Sequence, residues 1–129
     1  MILVIDSNIL ISFFRDNPVR FIILNQKIFN LELFTPEYVL GELKKNESDV
    51  LKYGKINSEQ FNNILSDLVK LIRTKPKETF KEKESRAKEL IHDKDIPIFA
   101  LALSLNCAIW SNEPAFKSRM KSKYLIHKS

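Results

Sequence analysis

Glycine is nearly missing from this chain. Only 2 occur in 129 residues, Gly41 and Gly54. No glycine-rich loop can therefore cradle a nucleotide phosphate, and both the P-loop and the dinucleotide-binding fingerprint are excluded. Cysteine is limited to Cys107, which can form neither an internal disulfide nor a zinc site by itself. It sits in an apolar run, where it is expected to pack as a small hydrophobe. Such sparing cysteine use fits a reducing, cytoplasmic setting. No apolar run is long enough to span a membrane. The opening MILVIDSNILISFF lacks a basic start and is interrupted by Asp6, which argues against a signal peptide.

What remains is an ordinary globular composition. Hydrophobic residues make up 44% and charged residues 29%, which excludes disorder as the main reading. The length suits one domain, residues 1–129. Lys and Arg exceed Asp and Glu by 21 to 16, a net +5 that permits a polyanionic partner without requiring one.

The chain has no internal repeat, low-complexity tract or linker. Ile2–Ile5 reads as a short strand buried on both faces. Asp6-Ser7-Asn8 can cap a helix running from about Asn8 to Arg15. Asn17-Pro18 breaks the pattern, a second helix follows over Val19–Phe29, and Leu31–Phe34 is a strand. Thr35-Pro36 predicts a helix start, with a hydroxyl cap and proline in the first turn; that helix runs to about Asn46. Lys52–Asn57 reads as a turn. Ser58–Ile72 is amphipathic, with Phe61, Ile64, Leu65, Leu68, Val69, Leu71 and Ile72 on one arc. Its last residues, Leu71–Thr74, read equally as a short strand. Lys77–Ile91 reads as a charged, solvated helix with Glu82/Arg86 and Glu84/Lys88 as favourable pairs. Asp95 opens an apolar, buried helix over Ile96–Leu105. Cys107–Trp110 reads as a strand, Glu113–Met120 as a short helix and Tyr124–His127 as a last strand. Strands alternating with helices imply parallel pairing through right-handed crossovers. The fold class is α/β, a three-layer α/β/α sandwich around a parallel sheet.

Ligands of such sheets bind at the carboxyl ends of the strands. Asp6 follows the first strand directly and so belongs there. Asp95 opens a returning helix at the same edge. Glu113 lies three residues beyond Trp110, in the loop after a buried strand. Glu42 falls between Tyr38 and Val39 on its helix, bordering the buried face, where an acid is costly unless paired or metal-bound. Each acid has a plainer reading alone: Asp6 and Asp95 as helix caps, Glu113 as a solvent-exposed loop residue, Glu42 as a rim residue paired to lysine. Four acids at one edge are harder to explain that way, because clustered carboxylates repel unless a cation compensates. Hard oxygen donors without adjacent His or Cys favour Mg²⁺ or Mn²⁺ over zinc. Such ions activate water for displacement at phosphorus, while surface Lys and Arg can hold a nucleic-acid backbone.

Three segments carry a resemblance: LVIDSNILIS with Asp6, TPEYVLGELKKN with Glu42, and DKDIPIFALALSLNCAIWSNEPAF with Asp95 and Glu113. Their order and spacing resemble the PIN domain family of metal-dependent ribonucleases, which includes the toxins of many prokaryotic toxin–antitoxin pairs. The match extends along the whole chain. The resemblance implies a parallel sheet of four or five strands and an acidic pocket holding Mg²⁺ or Mn²⁺ that hydrolyses RNA. It places Asp6, Glu42 and Asp95 at three acidic positions of the family. Ser7 and Asn8 match the polar residues after the first acid, and Ser111 and Asn112 those before the fourth. Glu113 departs from the pattern, which has Asp there, or Asn in toxin members. Asp93 is a nearby extra acid, placed as a partner behind the ligands.

His92 and His127 support no Ser-His-Asp arrangement. A haloacid-dehalogenase-type phosphatase would need an acid where Asn8 stands. The expected activity is therefore a metal-dependent endoribonuclease, with Asp6 and Asp95 as main ligands and Glu42 and Glu113 completing the pocket. The competing expectation is a PIN-like module weakened at Glu113 that binds RNA or a protein. For a toxin, the resemblance also implies a small antitoxin partner, and homodimers are common in the family. Phe13, Phe14 and Phe29 are open to either an interface or a core role.

Overall fold

A computed structural model of the chain describes residues 1–91, 95–111 and 124–126. Its five strands are β1 (Ile2–Ile5), β2 (Glu32–Pro36), β3 (Arg73–Lys75), β4 (Ala108–Ser111) and β5 (Tyr124–Ile126). They form one sheet in the order β3-β2-β1-β4-β5, and every pairing is parallel. The α/β expectation is met. Leu3, Val4 and Ile5 are buried, as an aliphatic run in a central parallel strand must be.

Helices α1 (Ser7–Ser12), α2 (Pro18–Leu24), α3 (Glu37–Lys45), α4 (Glu47–Gly54) and α5 (Ser58–Leu71) fill the connections from β1 to β2 and from β2 to β3. Helices α6 (Glu84–Leu90) and α7 (Ile96–Leu105) fill the return from β3 to β4. The sheet order reverses direction between these groups. Right-handed crossovers then put α1–α5 on one face and α6–α7 on the other. Contacts agree: α1 packs on α2 and α3, α4 on α5, and α6 on α7, which in turn covers β1, β2 and β4. Ile98, Phe99, Ala100 and Leu101 are all buried, so α7 is apolar on nearly every side because it lies under the sheet.

Several local expectations are corrected. Thr35 is not a helix cap. It lies within β2, fully buried, and its hydroxyl donates to the Ile5 carbonyl at 3.1 Å, tying two strand ends together. Helix α3 begins at Glu37 after Pro36. Helix α2 ends at Leu24, well short of Phe29. Helix α4 covers Glu47–Leu51, to which the sequence reading assigns no element, and the first three residues of the expected Lys52–Asn57 turn. Its signals were present: Glu47 and Asp49 in the first turn and Lys52 in the last match the helix dipole. Residues 77–83 wind as two short 3₁₀ turns before α6, so Glu82 and Arg86 do not share a helical face. The ion pairs of this region are Lys77–Glu84 at 3.9 Å and Arg86–Glu89 at 3.4 Å; the cation of each is exposed, so neither adds much. Val69 is exposed rather than part of the buried arc of α5. Phe13 and Phe14 belong to the core, where Phe14 stacks on Phe61 with centroids 5.2 Å apart. Phe29 is exposed and meets Phe21 edge-on. Cys107 packs against the core as expected. The helix expected over Glu113–Met120 lies outside the described residues.

The two glycines do different work. Gly41 sits on an open side of α3, with nothing within 4 Å of where a Cβ would stand. A Cβ on Gly54 would meet the Phe14 carbonyl oxygen at 2.5 Å, so α4 can approach the turn after α1 only without a side chain there. We expect Gly54→Ala to destabilise the fold by roughly 1–3 kcal/mol through overpacking. Gly41→Ala should stabilise it by up to about 1 kcal/mol through helix propensity. Urea midpoints at unchanged m-value measure both, and loss of stability in both variants would contradict this account.

Candidate active site at the sheet switch point

Where the sheet order reverses, the two crossovers leave on opposite faces and open a crevice at the carboxyl edge. Here that point lies between β1 and β4. Asp6 follows β1, and Ser111 ends β4. The Asp6 carboxylate is held from both sides. Its Oδ1 accepts from the Ile9 backbone N–H at 3.0 Å, which caps α1. Its Oδ2 accepts from the buried Ser111 hydroxyl, a contact spanning 105 residues of sequence. The Asp6 N–H donates to the Trp110 carbonyl at 3.2 Å. Asp6 is thus both the helix cap of the plainer reading and a buried acid, with only 5% of its surface exposed.

Asp6 opens onto a pocket of about 360 Å³. Ser7 and Asn8 flank it from α1, Tyr38 and Glu42 from α3, and Asp95 from the far side of the sheet at the start of α7. The acids differ in setting: Asp6 is buried, Asp95 half-buried and Glu42 exposed at the mouth. Glu42 therefore does not carry the desolvation cost inferred from its helical angle. Ile11, Val39, Leu43 and Val50 give the same pocket an apolar side. Asp93, Asn112 and Glu113 lie outside the described residues, as do His92 and His127. Three of the four expected acids therefore line one pocket, and the fourth is not described.

Electrostatics follow from this burial. Desolvation is the main cause that pushes the Asp6 pKa above its ordinary 3.8, and the nearby Asp95 charge adds to it. The Ser111 hydroxyl and the Ile9 N–H oppose the rise. Burial also raises the Tyr38 phenol, with the charges of Asp95 and then Glu42 adding to it, so both acids act on this ring. Sequence reasoning named Tyr38 only as a neighbour of Glu42. The signal that could have found it is its spacing, one helical turn before Glu42.

The donors are hard oxygens, and neither His nor Cys lines the pocket among the described residues. Among those residues no three Asp, Glu, His or Cys side chains stand close enough to form a ready ligand group. That is compatible with Mg²⁺, which commonly takes one or two carboxylates and keeps several waters.

A PIN domain profile matches residues 4–123. The chain belongs to the PIN domain family. A search of curated protein sequences finds no significant match. Among solved structures, the fold is similar to VapBC2 from Rickettsia felis, crystallised bound to a DNA fragment from its promoter. The TM-score there is 0.71 at 17% identity, covering 99% of this chain and 100% of the other. It is also similar to VapBC-1 from nontypeable Haemophilus influenzae, with a TM-score of 0.68 at 22% identity and 98% of each chain covered. At such identities the likeness is one of fold.

The raised Asp6 pKa has a stability consequence. The folded state favours the protonated acid, so this contribution is fully present below the unfolded pKa and is lost as pH rises through the folded one. At neutral pH the ionised Asp6 opposes folding. Asp6→Asn, which keeps a capping oxygen for Ile9, should therefore melt above the wild type at pH 7 in metal-free buffer. The gain should shrink as pH falls toward 4. Thermal melts at both pH values test this, and a lower melting point for the variant at pH 7 would show the sign to be wrong.

Proposed function

We propose that this PIN domain is a divalent-metal-dependent endoribonuclease that hydrolyses phosphodiester bonds of single-stranded RNA. The observation that carries the reading is the buried Asp6 carboxylate sharing one pocket with Asp95 and Glu42 at the sheet's switch point. A bare acidic pocket repels a phosphate, whereas the same oxygens suit Mg²⁺ or Mn²⁺. Asp6 and Asp95 would hold the ion and Glu42 would border it, with Glu113 assigned to the set from its sequence position alone. When bound, the ion supplies an activated water and neutralises charge during displacement at phosphorus.

The protein's own residues prepare that chemistry. Ser111 and the Ile9 N–H fix both Asp6 oxygens, so the acid keeps one orientation and is held partly toward its charged form. The apolar side of the pocket limits water around the reacting phosphate. The excess of Lys and Arg elsewhere suits an RNA backbone. The likeness to VapBC structures further supports a toxin role with a small antitoxin partner. Glu113, in place of the family's Asp or Asn, motivates the second reading of a binding module with weakened catalysis.

Purified protein should cleave single-stranded RNA with Mg²⁺ or Mn²⁺, stop when the ion is chelated, and lose at least about 10²-fold in Asp6→Asn. Equal cleavage by wild type and variant would assign the activity to contamination. RNA binding without calorimetric Mn²⁺ binding at millimolar concentration would favour the binding module. Ser111→Ala should weaken Mn²⁺ binding roughly 10- to 100-fold by releasing one Asp6 oxygen. Unchanged affinity would remove Ser111 from the site.

A further inference from the structure

The pocket contains one feature that metal binding and hydrolysis do not use. Tyr38, the second residue of α3, lines it beside the acids and keeps 42% of its surface exposed. Val39, Leu43 and Val50 around it are buried at 0–3% exposure and serve the core. A ring left this open adds little to that core. Among the described residues it is the only aromatic in the pocket. Glu42 stands one helical turn along on the same face, and both Glu42 and Asp95 act electrostatically on the phenol. A ligand atom held by the acids therefore has an aromatic surface within the same small cavity.

We propose that Tyr38 is a substrate-positioning residue: one unpaired nucleobase of single-stranded RNA stacks on its ring, next to the phosphate that meets the acids. The identification of the ligand rests on the nuclease reading. Aromatic rings bind unpaired bases through their faces, with little regard for sequence, and bases inside a duplex are not available to them. The apolar side formed by Ile11 and Val39 gives the base a dry neighbour, while the acids keep a second phosphate out of that half of the pocket. Tyr38 thus sets the register of the strand and selects single-stranded over paired RNA without acting in bond cleavage. The same ring could instead take a guanidinium from a protein partner, and the experiment separates the two.

A short single-stranded RNA carrying 2-aminopurine is titrated in Mn²⁺ buffer against the full chain bearing Asp6→Asn, so that binding is read without turnover. We expect the fluorophore to be quenched on binding. Adding Tyr38→Leu should abolish the quench and weaken binding about 5- to 150-fold, the range for one stacked base. Tyr38→Phe should restore both to within about twofold. In cleavage by chains with Asp6 intact, Tyr38→Leu should raise KM by a similar factor and leave kcat within about twofold. Melting curves check that both Tyr38 variants fold. Unchanged RNA binding in Tyr38→Leu would overturn the proposal and leave the ring to a protein partner or to packing. So would failure of Tyr38→Phe to restore binding, or a fall in kcat at constant KM. Absence of RNA binding by the Asp6→Asn chain and by the intact chain alike would overturn it too. Quenching by a protein whose wild type cleaves no RNA would sink the nuclease reading and leave the stacking site standing.

Discussion

The carboxyl edge of this sheet depends on keeping one carboxylate, Asp6, almost entirely out of water. Burial of an acid is unfavourable unless its oxygens find donors. Here they find two from different parts of the fold, the Ile9 N–H in the first turn of α1 and the hydroxyl that ends β4. The raised pKa shows that these donors only partly offset the desolvation. The fold therefore carries a destabilising charge at the position where the proposed cation would relieve it. Sites that bind ions are commonly held at such a cost to stability.

Around that residue the other parts take their places through topology. The sheet order sends α3 and α7 to opposite faces, yet both helices start at the edge where β1 and β4 end. Glu42, Tyr38 and Asp95 thereby converge from two layers. Thr35 adds a lateral tie at this edge by donating to the Ile5 carbonyl directly before Asp6. Burial grades the acids from Asp6 through Asp95 to Glu42, so one pocket has a dry end and a wet end.

The sequence was most readable where one physical signal dominated. The aliphatic run Ile2–Ile5 suits a buried strand, and Leu3, Val4 and Ile5 are buried; the nearly all-apolar Ile96–Leu105 suits a covered helix, which α7 is. Asp6 and Asp95 were placed at one edge by chain direction alone, and the pocket contains both. Reading failed where two local signals competed. Thr35-Pro36 has the chemistry of a helix start, but pairing with β3 claimed both residues for the sheet, and the Thr35 hydroxyl bonds the end of β1. Residues 77–83 have helical charge spacing but few apolar side chains to hold a long helix: between 77 and 91 only Phe80, Ala87 and Ile91 are buried, with Leu90 packed against the core. The exposure of Glu42 was hidden because helical angle gives direction without distance from solvent. Tyr38 went unremarked because an aromatic beside a buried valine reads as core until the structure shows it open.

The Asp6–Ser111 contact has a temporal side. The two residues are 105 positions apart, and β1 borders β4 directly. While a ribosome is still making the middle of this chain, the innermost strand has one flank bare. The acidic crevice has no far wall until α7 and β4 dock. The pocket at this edge is thus assembled late in synthesis.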